Sequence, residues 1–491
     1  MLYRRFTSID GDGGIMLGQV VLIHGWSDDS GSFHNLRDFL VASGYAVEQI
    51  WFGDYPSMED DVRIEDAARR MHNVVSSLIQ NGTLTPPFDL IVHSTGGLVA
   101  REWIASRYPD GRDCPVKRVV MLAPANFGSR LAALGKSMIG RVAKGWNNWF
   151  QTGTQMLRGL ELASPYQWQL ARRDLLDPVG SGTGPYGAGK VWPFVIVGGR
   201  GYTGMMRQIV NEDGADGTVR VAAANLNAVG FTIDFSTGAK QPTPTPWAPR
   251  AGDIRFPLAV LPDRNHGTIV DPALATGAAD SAAAVLGQLV LDALRCDTDQ
   301  HYRDIAEAWY TISEQTADLA RDAEKRSALF GSDAPEAEAL HQFFQVITYV
   351  RDDDGRPIED YFLEFYDPGT SGTTDIVTFQ RDVLKDVHVN GDTGSLRCLF
   401  IDRERLFKNY YDSHGPKKRQ LAMSISAANP GRNIRYFDAT RQGAKGELIV
   451  HAEDQNRRDG IEVSRLRRNT THLIEIIVPR RQIDRVFGLS Q

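Results

Sequence analysis

Short apolar runs alternate with amphipathic segments over roughly the first 295 residues of this chain. The run Val20-Val21-Leu22-Ile23 is β-branched and unbroken, and it ends at His24-Gly25. Such a run suits a strand buried on both faces of a parallel sheet. A helix-like segment, Ser32 to Ser43, follows, and then a second strand near Tyr45 to Phe52. Ile64, Ala67, Ala68, Met71, Val74, Val75, Leu78 and Ile79 recur at helical spacing and mark one apolar face. Asp89 to Val92 reads as a strand, Gly97 to Arg107 as a helix and Val116 to Leu122 as a further strand. This succession predicts an open parallel α/β sheet with helices crossing right-handed over both faces.

The rhythm breaks between about Phe127 and Lys190, a helix-prone, tryptophan-bearing stretch that reads as an insertion (about 128–190) over the carboxyl edge of the sheet. Strand signals resume at Pro193 to Val197, Thr218 to Ala223 and Arg255 to Leu261. The proline-rich Gln241 to Pro249 reads as a loop, and a helix from Pro272 to Leu294 closes this part. Beyond it a long helical bridge, His301 to Phe330, leads into short strands: His341 to Arg351, Asp360 to Asp367, Leu396 to Ile401, Arg419 to Ser426, Glu447 to His451 and His472 to Val478. Leu421, Met423 and Ile425 alternate with smaller residues at a period of two, and Asp353-Asp354-Gly355 fits a hairpin turn. The expectation is a catalytic α/β unit over 1–296, then a bridge and a mostly β, sandwich-like unit over 297–491.

Composition narrows the function classes. At 491 residues with 42% hydrophobic and 23% charged positions, the chain has ample material for a large core. A net charge of -7 gives no sign of nucleic-acid binding, and basic runs such as Lys417-Lys418-Arg419 and Arg465-Leu466-Arg467-Arg468 read first as solvated loops. The three cysteines, Cys114, Cys296 and Cys398, are far apart and suggest neither a disulfide framework nor a zinc site. No apolar stretch approaches the length of a membrane span, and residues before Asp10 lack the apolar region of a Sec signal. The expected location is therefore cytoplasmic or peripheral to a membrane.

Candidate chemistry sits at strand ends. Ile91-Val92-His93-Ser94-Thr95-Gly96-Gly97 lies between a strand and a helix, the setting of a nucleophile elbow, although Val92 stands where the usual first glycine would be. The plainer reading of Ser94 is a helix cap. A serine hydroxyl needs a base, and in this arrangement an acid and then a histidine follow it in the chain. Asp216, in Asp216-Gly217-Thr218-Val219, is the candidate acid and Asp213 its rival; either also fits a turn aspartate. His266 is the only histidine between His93 and His301, and it falls between the last strand and the last helix. Two backbone amides would hold an oxyanion, Thr95 after the serine and Trp26 in His24-Gly25-Trp26 after the first strand. His24 also fits a strand-end residue that secures that loop. Such chemistry requires no metal and no cofactor.

With these motifs in place, the chain resembles the lipase and esterase branch of the α/β-hydrolases over its first 295 or so residues. His24-Gly25-Trp26, His93-Ser94-Thr95-Gly96-Gly97, Leu122-Ala123-Pro124-Ala125-Asn126-Phe127-Gly128-Ser129, Asp216-Gly217-Thr218-Val219 and His266 carry the likeness. Within that branch it is most similar to the PlaB-type phospholipases A. The resemblance implies hydrolysis of phospholipids and lysophospholipids, association with a membrane surface without a signal peptide, and self-association. A carboxylesterase, a neutral lipase and a non-catalytic lipid-binding protein are the alternatives. In the insertion, Trp146, Trp149, Phe150, Met156, Leu157 and Leu160 beside Arg141, Lys144 and Arg158 fit either ordinary core or a lipid-contacting lid.

Overall fold

The computed structural model describes residues 18–26, 30–133, 153–180, 182–203, 211–237, 242–274, 282–330, 338–366, 373–411, 421–436, 448–450 and 466–489. Trp146, Trp149, Phe150, Arg141 and Lys144 lie outside these residues. The apolar runs form a six-stranded sheet in the order Leu258–Leu261, Trp192–Gly198, Val116–Leu122, Phe88–His93, Val20–Ile23, Ile50–Gly53. Every pairing in it is parallel. From Val20–Ile23 the chain steps first to one side and then to the other, so the strand order reverses between Val20–Ile23 and Phe88–His93. The carboxyl ends of those two strands therefore flank a crevice, and that is where His24-Gly25 and Ser94 fall.

Helices cover both faces of this sheet. Helix Ile64–Gln80 buries Ile64, Ala67, Ala68 and Val75, with Met71, Leu78 and Ile79 packed behind them. Val74, expected on the apolar face, is 38% exposed. Helix Gly96–Arg107 is buried all round from Gly96 to Ala105. It tolerates Arg101 and Glu102 there because Arg101 forks onto Asp174 at 2.8 and 3.0 Å and Arg173 meets Glu102. In the insertion, Met156, Leu157 and Leu160 are core residues, while exposed Arg158 faces Asp392.

Helix Asp299–Phe330 does more than bridge. It lies along Leu258–Leu261, the last strand of the sheet. Ser313 and Thr316 donate their hydroxyls to the Leu258 and Val260 carbonyls at 2.9 and 2.8 Å, which covers the edge that a strand would otherwise leave open.

The second half is built on a six-stranded sheet in the order Leu384–Val389, Leu396–Asp402, Phe343–Asp352, Thr470–Val478, Val229–Asp234, Thr245–Pro246, and a three-stranded sheet of Tyr361–Tyr366, Leu421–Ala427 and Leu448–Val450. Phe344, Val346, Phe365, Met423, Ile425 and Ile476 belong to one apolar cluster drawn from both sheets, so the two layers share a core. Asp353-Asp354-Gly355 does turn the chain, closing a short hairpin with an antiparallel bridge between Arg351 and Pro357, after which the chain passes to Tyr361–Tyr366 of the other sheet. Strand Val229–Asp234 comes from the first half of the sequence and pairs in parallel with Thr470–Val478.

The expected strand at Thr218 to Ala223 is absent: Thr218 to Arg220 is a turn and Val221–Ala224 a single helical turn. The Asp216 carboxylate accepts the amides of Thr218 and Val219, which bends the chain before a strand can form. The helix expected from Pro272 runs Ala282–Arg295. Among the described residues no helix is long and apolar enough to cross a membrane.

Candidate active site

Ser94 follows Phe88–His93 and precedes helix Gly96–Arg107 at φ 54°, a left-handed conformation that non-glycine residues rarely adopt. The tight strand-to-helix turn that results needs small neighbours. A Cβ on Gly96 would meet the His24 carbonyl oxygen at 2.7 Å, and one on Gly97 would meet Pro124 at 2.9 Å. Ser94 does not cap the helix: Thr95 holds the cap position, without a side-chain cap bond. The Ser94 hydroxyl instead donates to His266 Nε2 at 3.1 Å.

His266 stands on a compact turn after Leu258–Leu261. Asn265 Oδ1 accepts the amides of Gly267 and Thr268, each at 3.0 Å, and the His266 amide donates to the Asp216 carbonyl at 2.9 Å. Its Nδ1–H donates to Asp216 Oδ2 at 2.9 Å, which leaves Nε2 as the acceptor facing Ser94. Asp216 is fully buried, and its other oxygen takes the Thr218 and Val219 amides at 2.9 and 2.7 Å. Asp213, the rival, is 2.6 Å from Lys385 instead. Three segments far apart in sequence thus converge on one hydrogen-bonded chain of groups, able to take a proton from the serine and hold it on an imidazole stabilised by a carboxylate.

The loop after Val20–Ile23 closes the other side. Gly25 lies so near Ser94 that a Cβ would sit 2.7 Å from the serine Cβ, and only glycine fits. Trp26 follows it, while the Thr95 amide, at the amino end of a twelve-residue helix, has no acceptor among the described residues. A helix start carries positive potential, which favours negative charge developing beside Ser94. His24 secures the loop: its Nδ1–H donates to the Gly25 carbonyl at 2.7 Å, Nε2 accepts the Tyr55 amide at 3.3 Å, and its ring stacks on Tyr55.

Further contributors go beyond the triad and the oxyanion amides: in the sequence His93 and Ser129 figure only as parts of motifs, and Tyr202 is not singled out. His93 Nε2–H donates to the His266 carbonyl at 3.1 Å, and the two rings lie 4.7 Å apart. Burial above all, then the neighbouring His266 ring, holds the His93 pKa well below its ordinary value, so it is neutral and braces the turn without adding charge. Its place beside the serine was the available clue. Ser129 donates to the Thr218 carbonyl at 2.6 Å and Tyr202 shares a hydrogen bond with Thr218, steadying the turn around Asp216. Among the described residues, His341, Asp402 and Glu404 bring potential metal-ligand atoms within 4.8 Å of one another. That group belongs to the C-terminal half and is tied up with Arg403 and Arg405.

The sequence profile of the alpha/beta hydrolase family matches residues 20–279. Among solved structures, phospholipase PlaB from Legionella pneumophila, in two forms of which one is in complex with thio-NAD, is similar over 96% of this chain and 96% of that one. The identity is 22% and the TM-score 0.73. The lipase BlEst2 of Bacillus licheniformis in mature form is 14% identical, with 54% of this chain and 91% of that chain covered, at a TM-score of 0.35. No curated protein matches. The likeness to PlaB extends through the β-rich second half and speaks for a shared fold. Because the family profile spans more than half of its residues, the chain belongs to the alpha/beta hydrolase family.

Proposed function

We propose that this protein is a serine esterase that releases fatty acids from phospholipids and lysophospholipids. His266, oriented by Asp216, takes the proton of Ser94 as the serine oxygen attacks the ester carbonyl. The Trp26 and Thr95 amides receive the oxyanion. As the tetrahedral intermediate collapses, the protonated His266 gives its proton to the departing alcohol, and an acyl-enzyme remains. Water, deprotonated by His266, then frees the acid. The single observation carrying this reading is the continuous hydrogen bonding Ser94–His266–Asp216 at 3.1 and 2.9 Å. The phospholipid class is supported by the PlaB-like architecture, and with it we propose a peripheral membrane surface and a second copy of the chain as partners.

Purified wild type and Ser94→Ala are to be compared on lysophosphatidylcholine, diacyl phospholipids, monoacylglycerols and short nitrophenyl esters. Loss of about four to six orders of magnitude in turnover is expected for the variant. Equal activity would remove Ser94 from the mechanism. Faster turnover of neutral esters than of either phospholipid class would replace the phospholipase reading with that of a carboxylesterase or neutral lipase. A wild type that a fluorophosphonate does not label would leave a non-catalytic lipid-binding protein.

A further inference from the structure

The loop that carries Asp216 is held from the C-terminal half as firmly as from its own. At its start, Gly214 donates its amide to the Ala339 carbonyl at 3.1 Å and lies flat against Phe343, whose ring a Cβ would approach to 2.2 Å. At its end stands Arg220, fully buried, with its guanidinium 4.0 Å from the centre of the Phe400 ring. Phe400 in turn stacks on Phe343 at 4.1 Å. Both ends of the loop therefore rest on one aromatic pair from the second sheet.

Charge closes the arrangement. Arg220 forks onto Glu212 with two bonds of 2.7 Å, tying the loop's end to its start, and reaches Asp386 at 2.6 Å. Lys385 pairs with Asp213 at 2.6 Å. Consecutive residues of a regular strand point to opposite faces, but the ladder of Leu384–Val389 shifts register between Leu384 and Asp386. Lys385 drops out of the pairing, and it and Asp386 both engage the loop. A buried guanidinium is costly unless its donors are engaged, so the position of Arg220 is fixed by both halves at once.

Resting on the triad reading above, we propose that Asp386, acting through Arg220, is a positioning residue for Asp216, and that the C-terminal half is a working part of the active site. His266 is faced by Asp216 and by the neutral His93, so displacement of the carboxylate removes the charge hydrogen-bonded to its ring. The test uses the full chain on a soluble nitrophenyl ester, with active sites counted by fluorophosphonate titration. It compares wild type, Asp386→Ala, Asp386→Glu and Asp216→Asn. Asp386→Ala is expected to lower kcat per active site about 10- to 100-fold. KM should stay within about two-fold. Asp386→Glu should restore most of the loss. A kcat per active site like that of wild type overturns the proposal, as does a fall in the number of active sites alone. If Asp216→Asn is itself fully active, the triad reading fails; if it collapses while Asp386→Ala is unaffected, only the present inference fails.

Discussion

Ser94 shows how much one backbone angle decides. Its φ of 54° costs a non-glycine residue about 1–3 kcal/mol, more than glycine's extra chain entropy. Ser94→Gly and Ser94→Ala should both be inactive, yet the glycine variant is expected to be about 1 kcal/mol more stable in urea unfolding. An alanine variant that proves the more stable would show that the turn carries no such strain. The sequence already displayed this spot, because small residues crowd the serine between a strand and a helix. Asp216 was less distinct, since Asp213 shares its setting. What separates them is Lys385, some 170 positions onward, which engages Asp213 and leaves Asp216 to His266. No local pattern encodes that choice.

Among the elements, helix Gly96–Arg107 bears the heaviest duty, since it starts at the nucleophile and is enclosed on every side. Arg101 joins it to Asp174 and, through the Asn126 carbonyl at 2.9 Å, to the segment after Val116–Leu122. Asp174→Leu leaves that guanidinium buried without a counter-charge and should cost about 3–5 kcal/mol of stability. Adding Arg101→Met should return a large part of it, so a double-mutant cycle reads the coupling directly. Additive losses would mean that the two side chains act separately. Strands of the parallel sheet were legible because burial on both faces makes continuous apolar runs. Strand Val229–Asp234, not among the strands expected above, is also written in the alternation of Val229, Phe231 and Ile233. Thr218 to Ala223 misled because its apolar residues are buried between the two halves of the molecule, a burial that has no strand periodicity.

At the scale of the whole molecule, buried histidines set the response to acid. His472 donates Nδ1–H to the Gln345 carbonyl and accepts the Arg467 amide on Nε2, and burial pulls its pKa down to about 3. The unfolded chain takes up a proton near pH 6.5, which the folded one refuses. Stability from this residue is therefore complete above about pH 6.5 and falls by up to about 1.4 kcal/mol per pH unit as the pH drops toward 3. His93, also depressed, acts in the same direction. Urea midpoints between pH 7.5 and 4.5 should fall less steeply for His472→Gln than for wild type. Parallel profiles would exclude His472 as a source of the acid sensitivity. None of this was readable beforehand, since the burial of His472 depends on strands from both halves closing over it.

The same interlacing constrains how the protein is made. Thr232 and Glu475, hydrogen-bonded across adjacent parallel strands, are 243 positions apart. During synthesis the Val229–Asp234 ribbon leaves the ribosome long before its neighbour exists, with Phe231 and Ile233 lacking the layer that will cover them. A nascent chain halted between Asp234 and Thr470 would carry an adhesive, half-built edge, and that interval is when a chaperone has most to protect.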